Sequence, residues 1–372
     1  MRKVNGLKVQ KKVRWLFLLL LVIGSFVFVT NNASLYEQTI VRVVKEEVIA
    51  TDRVVDVHDN EDTIFTQHLE GVVQNGPYRD EPIELKNDYS ASGAIDHRYR
   101  EGTELFVTVR TQGDTLTGMI TNVKRDHLLV AIGWIFIGVL LLVGKRQGFH
   151  SLVSFSLNAL VLYFALDLYI AYERVSLLAV AFGMIFLFTF ISLYFVSGWS
   201  PKTFAAVLST LVGTLLSFLV MLVVMKVTNE QGLHYEEMQF LSRPYYIVFL
   251  AGVLIGSLGA VMDVSITMAS SLFELHDQHP HLTDEQLRVS GKEIGQDIMG
   301  TITSILFFAY LSGSIPMLLI YMMNRVPLGY ALPMNMSLEL ARALAGGIGV
   351  VLTIPISLFF TLLFIRRKKV VA

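Results

Sequence analysis

The stretch Gly256 to Leu272, GSLGAVMDVSITMASSL, holds one carboxylate, Asp263, in an otherwise uncharged run of small and apolar residues. The apolar run around it extends over about 244–273, longer than the roughly 20 residues that cross a bilayer core about 30 Å thick. The whole 372-residue chain is 53% hydrophobic and only 16% charged, with a mean hydropathy of +0.56. Those values belong to a polytopic membrane protein.

Working outward from this stretch, seven further apolar runs are long enough to span: about 15–30, 128–144, 150–170, 175–197, 203–227, 297–323 and 338–365. The fold class expected is a membrane all-α bundle of about eight transmembrane helices with a small extracytoplasmic all-β domain. The first run follows MRKVNGLKVQKKVR, with six basic residues and no acid, and is followed by VTNNAS, a poor small-residue cleavage site. Residues 1–30 therefore read as a cytoplasmic basic tail and an uncleaved signal-anchor helix; cleavage would leave seven spans. There is no cysteine, which removes disulfides, thiolate metal sites and cysteine nucleophiles.

Lysine and arginine set the orientation. With the N-terminus inside, inner segments carry 15 basic residues, including Lys145, Arg146, Lys202 and the closing Arg366 to Lys369, against four in short outer loops. Both termini, including the basic tail 366–372, are then cytoplasmic, and the hydrophilic segment 31–127 is outside. That segment holds 18 acids and 10 bases while the rest of the chain carries +7. Its runs LYEQTIVRVVKEEVIA, HLEGVVQ, PIELKN and ELFVTVRT, separated by Gly, Pro and Asn turns, suit an antiparallel barrel or sandwich of about five strands, with Gly113-Asp114 as a hairpin turn. An OB-like barrel could bind oligonucleotides or sugars, but the acidic balance disfavours phosphate backbones, so no nucleic-acid partner is expected. The bland reading is a barrel that contacts a partner or covers a pore mouth. His58, His68 and His97 stand apart in sequence among carboxylates; they read as solvated surface residues, with a metal site as the alternative.

Asp263 lies too deep in its run for its short side chain to reach water, and a charge at mid-bilayer costs roughly 2.5–3.5 kcal/mol even on the lenient scale. It requires a cavity, a proton or a partner. A second acid, Asp297, opens the next run. Asp263, Thr267 and Ser270 repeat as Asp297, Thr301 and Ser304, 34 residues on, and the i, i+4, i+7 spacing puts each trio on one helical face. The two spans would run in opposite directions, as in an inverted repeat, or the match is chance. Such polar lanes suit proton or cation coupling; the alternative is hydrogen bonding between helices.

Gly252, Gly256 and Gly259, and Ala341, Ala345 and Gly349, form small-residue faces for helix packing. Pro316 and Pro355 are expected to kink the last two spans. Ser337 is a plausible N-cap for the final span, with Glu339 near its start and Arg342 one turn deeper; the two pair, or Arg342 meets an anionic substrate. His276, Asp277, His279 and His281 crowd an inner loop that reads as solvated, leaving metal binding an open question. After it, TDEQLRVS reads as a short helix with a Thr283–Gln286 capping box, ended by Gly291.

The blocks GSLGAVMDVSITMASSLFEL, SGKEIGQDIMGTITSILFFAYLSGSIP and ELARALAGGIGVVLTIPIS, in that order behind an anchor and an outer β domain, resemble the YibE/F family of bacterial multi-pass membrane proteins. The resemblance covers 128–365, which reads as a seven-helix YibE/F-like membrane domain; the outer domain resembles the family in layout, nearer the YibE than the YibF type. It implies the bacterial cell membrane and a YibF-like companion, and names no substrate.

The function expected is gradient-driven transport of a small ion or solute, coupled through Asp263 and Asp297, by a chain that works with the bilayer and a YibF-like partner or as a homo-oligomer. A P-loop is absent, which disfavours ATP-driven transport by this chain alone. The second reading is a non-transporting scaffold or sensor. H-E-x-x-H and GxGD are missing, so no enzymatic activity and no cofactor are expected.

Overall fold

The computed structural model describes residues 18–93, 96–112, 115–172, 174–235, 238 and 244–371. It is mostly helical, with one five-stranded sheet near the N-terminus, and divides into two compact units, Met1–Leu142 and Val143–Ala372.

The first unit contains helix α1, Leu18–Thr30, and strands β1 (Thr39–Val55), β2 (Glu61–Val73), β3 (Pro82–Ser90), β4 (Glu104–Gln112) and β5 (Thr115–Val123). The strands close into a barrel in the order β1-β2-β3-β5-β4. All neighbours are antiparallel except β3 and β5, which pair in parallel, so the expected antiparallel sheet is corrected at that seam. Closure satisfies strand edges that an open sheet would expose. It is possible because β-branched and leucine side chains alternate inward, with Val41, Val43, Leu69, Val73 and Leu105 buried in one core. It also requires strands to crowd: a Cβ on Gly71 would overlap the Val41 side chain, and one on Gly118 would overlap Val107. The expected turn at Gly113-Asp114 lies outside the described residues; β4 and β5 pair up to Gln112 and Thr115 on either side of it.

At their far end β1 and β2 form a short two-stranded tip, in which Arg53–Val55 pair with Glu61–Thr63 past the last β3 partner at Ile64. Its turn is built by Asp56, whose carboxylate accepts the backbone N–H groups of His58 and Asn60 at 2.8 and 2.9 Å. At the opposite end Lys124 follows β5 with its side chain 3% exposed. Its ammonium donates to the Val29 carbonyl at the end of α1 (2.8 Å) and to Glu104 on β4 (2.8 Å). It also lies 3.6 Å from Asp126, the first residue of α2. Asn32 and Tyr36 donate to the same Asp126 carboxylate at 3.1 and 2.7 Å. One buried cation thus joins the end of α1, a barrel strand and the start of α2.

The helices that follow are α2 (Asp126–Ala171), α3 (Leu177–Ser197), α4 (Pro201–Thr228), α5 (Tyr245–Gln278), α6 (Asp284–Ser312), α7 (Ile315–Met323) and α8 (Leu328–Val371). Among the described residues six, α2 to α6 and α8, are long and apolar enough to cross a membrane. The expected runs 128–144 and 150–170 are both part of α2, which is interrupted at Lys145 by a non-helical backbone of φ 48° and ψ −121°.

Three local expectations are corrected. The capping box is formed as read, with Thr283 and Gln286 bonding reciprocally, but the helix does not end at Gly291; it continues to Ser312. Gly291 is a point of close approach, where a Cβ would press on Leu358 at 2.6 Å and Leu272 at 3.2 Å. Pro316 does not kink a long span, because the chain breaks at Gly313 and Ser314 and Pro316 sits in the first turn of the separate α7. Ser337 is not an N-cap: α8 begins at Leu328, and the Ser337 hydroxyl accepts the His234 backbone N–H at 3.1 Å. Pro355 does lie inside α8.

Lys124→Ala would take from Asp126 its cation and leave Glu104 with only the exposed Arg42. It should destabilise the first unit by about 3 kcal/mol, whereas Arg42→Ala, which removes an exposed pair with Glu104, should cost under about 1 kcal/mol; thermal unfolding of both variants would check this. Burial pushes the Glu104 carboxyl up, but hydrogen bonds from Lys124 and Arg42 outweigh it and hold the pKa below 4.5. Its contribution is therefore complete above pH 4.5 and is lost as pH falls through the lowered folded-state value.

Candidate functional site

The second unit is organised around α4, α5 and α8, which pack directly on one another. At their meeting point, a Cβ on Gly213 of α4 would overlap the Thr353 hydroxyl of α8. One on Gly349 of α8 would meet Ser217 Cβ at 2.9 Å and Val261 of α5 at 3.2 Å. Hydroxyls fill the seam and satisfy backbone acceptors: Ser217 donates to the Ala345 carbonyl at 2.6 Å, and Ser357 to the Ser265 carbonyl at 3.3 Å. Thr214, Ser265 and Thr361 add buried hydroxyls with no hydrogen-bond partner among the described residues. α6 joins this trio through Gly291, Gly295 and Leu306, which face α8.

Packing on that side decides where the carboxylates go. Val261, Val264, Met268 and Leu272 of α5 are all fully buried, and Asp263 stands on the opposite face, uncovered by the rest of the chain. Thr267 and Ser270 are half-buried beside it. On α6, Asp297, Thr301 and Ser304 are likewise exposed, and the Ser304 hydroxyl donates back to the Gly300 carbonyl of its own helix at 2.8 Å. Among the described residues neither aspartate has a hydrogen bond or an ion pair. The polar lanes of α5 and α6 therefore exist as helical faces, turned away from the seam of the bundle.

Glu339 and Arg342, second in rank from the sequence, form an ion pair with side chains 26% and 18% exposed. The Arg342 guanidinium also lies 5.3 Å from the centroid of the Phe249 ring, a cation–π distance. Its Nε is buried without a partner among the described residues. Gly252 lies beneath it, with Nε 3.6 Å from where a Cβ would be, and a Cβ on Gly256 would overlap the Tyr310 hydroxyl of α6. So Gly252 and Gly256 make room for side chains of α8 and α6, while Gly259 has open space. Phe249 and Tyr310 were not singled out from the sequence; a lone phenol in the apolar run SILFFAYLSG was the available signal. Asn335 and Ser314 are a further buried polar pair, with the Asn335 amide donating to the Ser314 carbonyl at 2.8 Å.

No group of three or more His, Asp or Glu residues is placed to hold a metal among the described residues. The His279 and His281 rings meet edge to face with centroids 5.8 Å apart, and His276 is buried in the last turn of α5.

Compared with known families, residues 132–367 match the YibE/F-like protein family and residues 34–123 match the YibE/F family N-terminal domain. The chain belongs to the YibE/F family. The second match extends the resemblance to the barrel, which the sequence had linked to the family by layout alone. No curated protein and no solved structure matches the chain. Family membership and the long apolar helices make this a membrane protein.

The glycines separate packing within the chain from whatever lies outside it. Gly349→Val should destabilise the α4–α5–α8 seam by about 1–3 kcal/mol, whereas Gly259→Val should leave the unfolding temperature of detergent-solubilised protein within a degree or two of wild type. Thermal unfolding of the two variants side by side checks the assignment.

Proposed function

We propose that this YibE/F protein moves a small ion or solute across the bacterial cell membrane, driven by an ion gradient, with Asp263 and Asp297 as proton or cation coupling groups. The observation that supports this reading is the pair of carboxylates, unpaired among the described residues, on the uncovered faces of two apolar helices. An ionised aspartate on such a face cannot rest in hydrocarbon. It is protonated, hydrated or covered, and interchange among these states is what coupling to a gradient requires.

Because both lanes turn outward, the reading includes an assembly: a second copy or a YibF-like membrane protein completes the lane that one chain half-builds. The uncovered α2 agrees with this, since none of its most apolar window is buried against the chain. Both termini are proposed to be cytoplasmic and the barrel extracytoplasmic.

A scaffold or sensor is the second reading, favoured by one specific feature, the Lys124 cluster that binds the barrel to the ends of α1 and α2. The two readings part in liposomes. The purified chain, alone and with a YibF-like companion, is reconstituted with pH-sensitive and divalent-cation-sensitive dyes inside. Transport predicts a flux that Asp263→Asn and Asp297→Asn reduce to the level of protein-free liposomes, with unfolding temperatures unchanged. If both variants carry wild-type flux, the coupling role is wrong; if Asp263→Asn keeps full function in cells while no preparation shows flux, the scaffold or sensor reading replaces transport.

A further inference from the structure

A cavity of about 920 Å³ opens at the base of the barrel. Its wall includes Val29 and Thr30 at the end of α1 and Leu128 in the first turn of α2, so it lies where both apolar helices leave the barrel. Trp134 marks the level. Its indole N–H donates to the Ser25 hydroxyl at 2.7 Å, tying α2 to α1, and six residues of helix separate it from Leu128, about 9 Å. Tryptophan favours the boundary between hydrocarbon and head groups, which puts the cavity at head-group height.

The charge of the cavity runs against that of its domain. Residues 31–127 carry 18 acids and 10 bases, yet the cavity wall holds Arg42, Arg98, Lys124 and Arg125 against Glu101 and Glu104, with His97 and His127 beside them. Three of the four cations are already engaged. Arg42 pairs with Glu104 at 2.7 Å, Arg98 with Glu46 at 3.0 Å, and Lys124 is held in the buried cluster with Glu104 and Asp126. Arg125 is the exception: its guanidinium has no ion pair or hydrogen bond among the described residues, and the His97 and His127 rings have none either. The Asp126 carboxylate, next in the chain, is taken up by Asn32, Tyr36 and Lys124.

A free guanidinium with two imidazoles in a cavity of net positive charge is a receptor for a compact oxyanion. Arginine binds phosphate through two parallel N–H donors, and imidazole adds a donor in either protonation state. We infer that this cavity binds a phosphate or phosphodiester group, with Arg125 as the main contact and His97 and His127 as flanking donors. Two sources share that chemistry, the head group of an anionic phospholipid and a soluble phosphate ester. The helix stems on the cavity wall favour the lipid, because its acyl chains would continue along α1 and α2.

The test uses the full chain in detergent and native mass spectrometry, with phosphatidylglycerol and phosphatidylcholine as competing lipids, and glycerol 1-phosphate and inorganic phosphate as soluble probes read by thermal shift. Wild type should retain phosphatidylglycerol about tenfold better than phosphatidylcholine. Arg125→Glu should abolish that preference, Arg125→Lys should keep most of it, and His97→Ala should weaken it severalfold. Should Arg125→Glu fail to fold, Arg125→Gln gives the same reading without reversing the charge. Stabilisation by glycerol 1-phosphate that depends on Arg125, without lipid preference, would assign the soluble source. Equal retention of both lipids together with no response to either soluble probe overturns the inference, as does wild-type preference in a folded Arg125→Glu or Arg125→Gln protein.

Discussion

Close approach of α4, α5 and α8 is the constraint from which the membrane unit follows. Lipid chains are as apolar as leucine, so burying apolar surface gives helices little reason to associate; contact between backbones and small side chains must supply it. Gly213, Gly349, Ser217 and Thr353 meet at a spacing that admits nothing larger. Once α5 commits its valine and methionine face to that seam, helical periodicity sends Asp263 to the other side. The exposed carboxylate is a consequence of the packing.

Charge is handled differently in the two units. At the barrel base, Lys124 is buried with two carboxylates and a carbonyl oxygen close by, the satisfied geometry in which a buried ion stabilises an arrangement. In the helices, Asp263 and Asp297 have no hydrogen bond or ion pair among the described residues. One unit spends its charges on holding segments together, and the other leaves two available to respond to what surrounds them.

The sequence carried the local features well. Apolar length marked the helices, β-branched alternation marked the strands, and the Thr283–Gln286 box marked the start of α6, since each is written in neighbouring residues. What it did not carry depends on partners far along the chain. Gly291 obeys the same local rule whether it stops a helix or lets Leu358 approach, and only the position of α8 distinguishes the two. Ser337 looked like a cap because its real partner, the backbone of His234, is about a hundred residues away in sequence. The parallel β3–β5 seam and the set of groups around Lys124 are likewise long-range. For the candidate site, the spacing of Asp263, Thr267 and Ser270 gave the shared face, while the direction of that face required knowing which side α4 and α8 occupy.

The Lys124 cluster also has a meaning in time. Its acceptors are spread along the chain at Val29, Glu104 and Asp126, and Lys124 itself comes directly after β5, the strand that pairs with both β3 and β4 to close the barrel. During synthesis α1 emerges long before its anchor point exists. The residues that finish the barrel and those that fasten both stems leave the ribosome within a few positions of one another, so barrel closure and attachment to the membrane helices fall together late in the biogenesis of this unit.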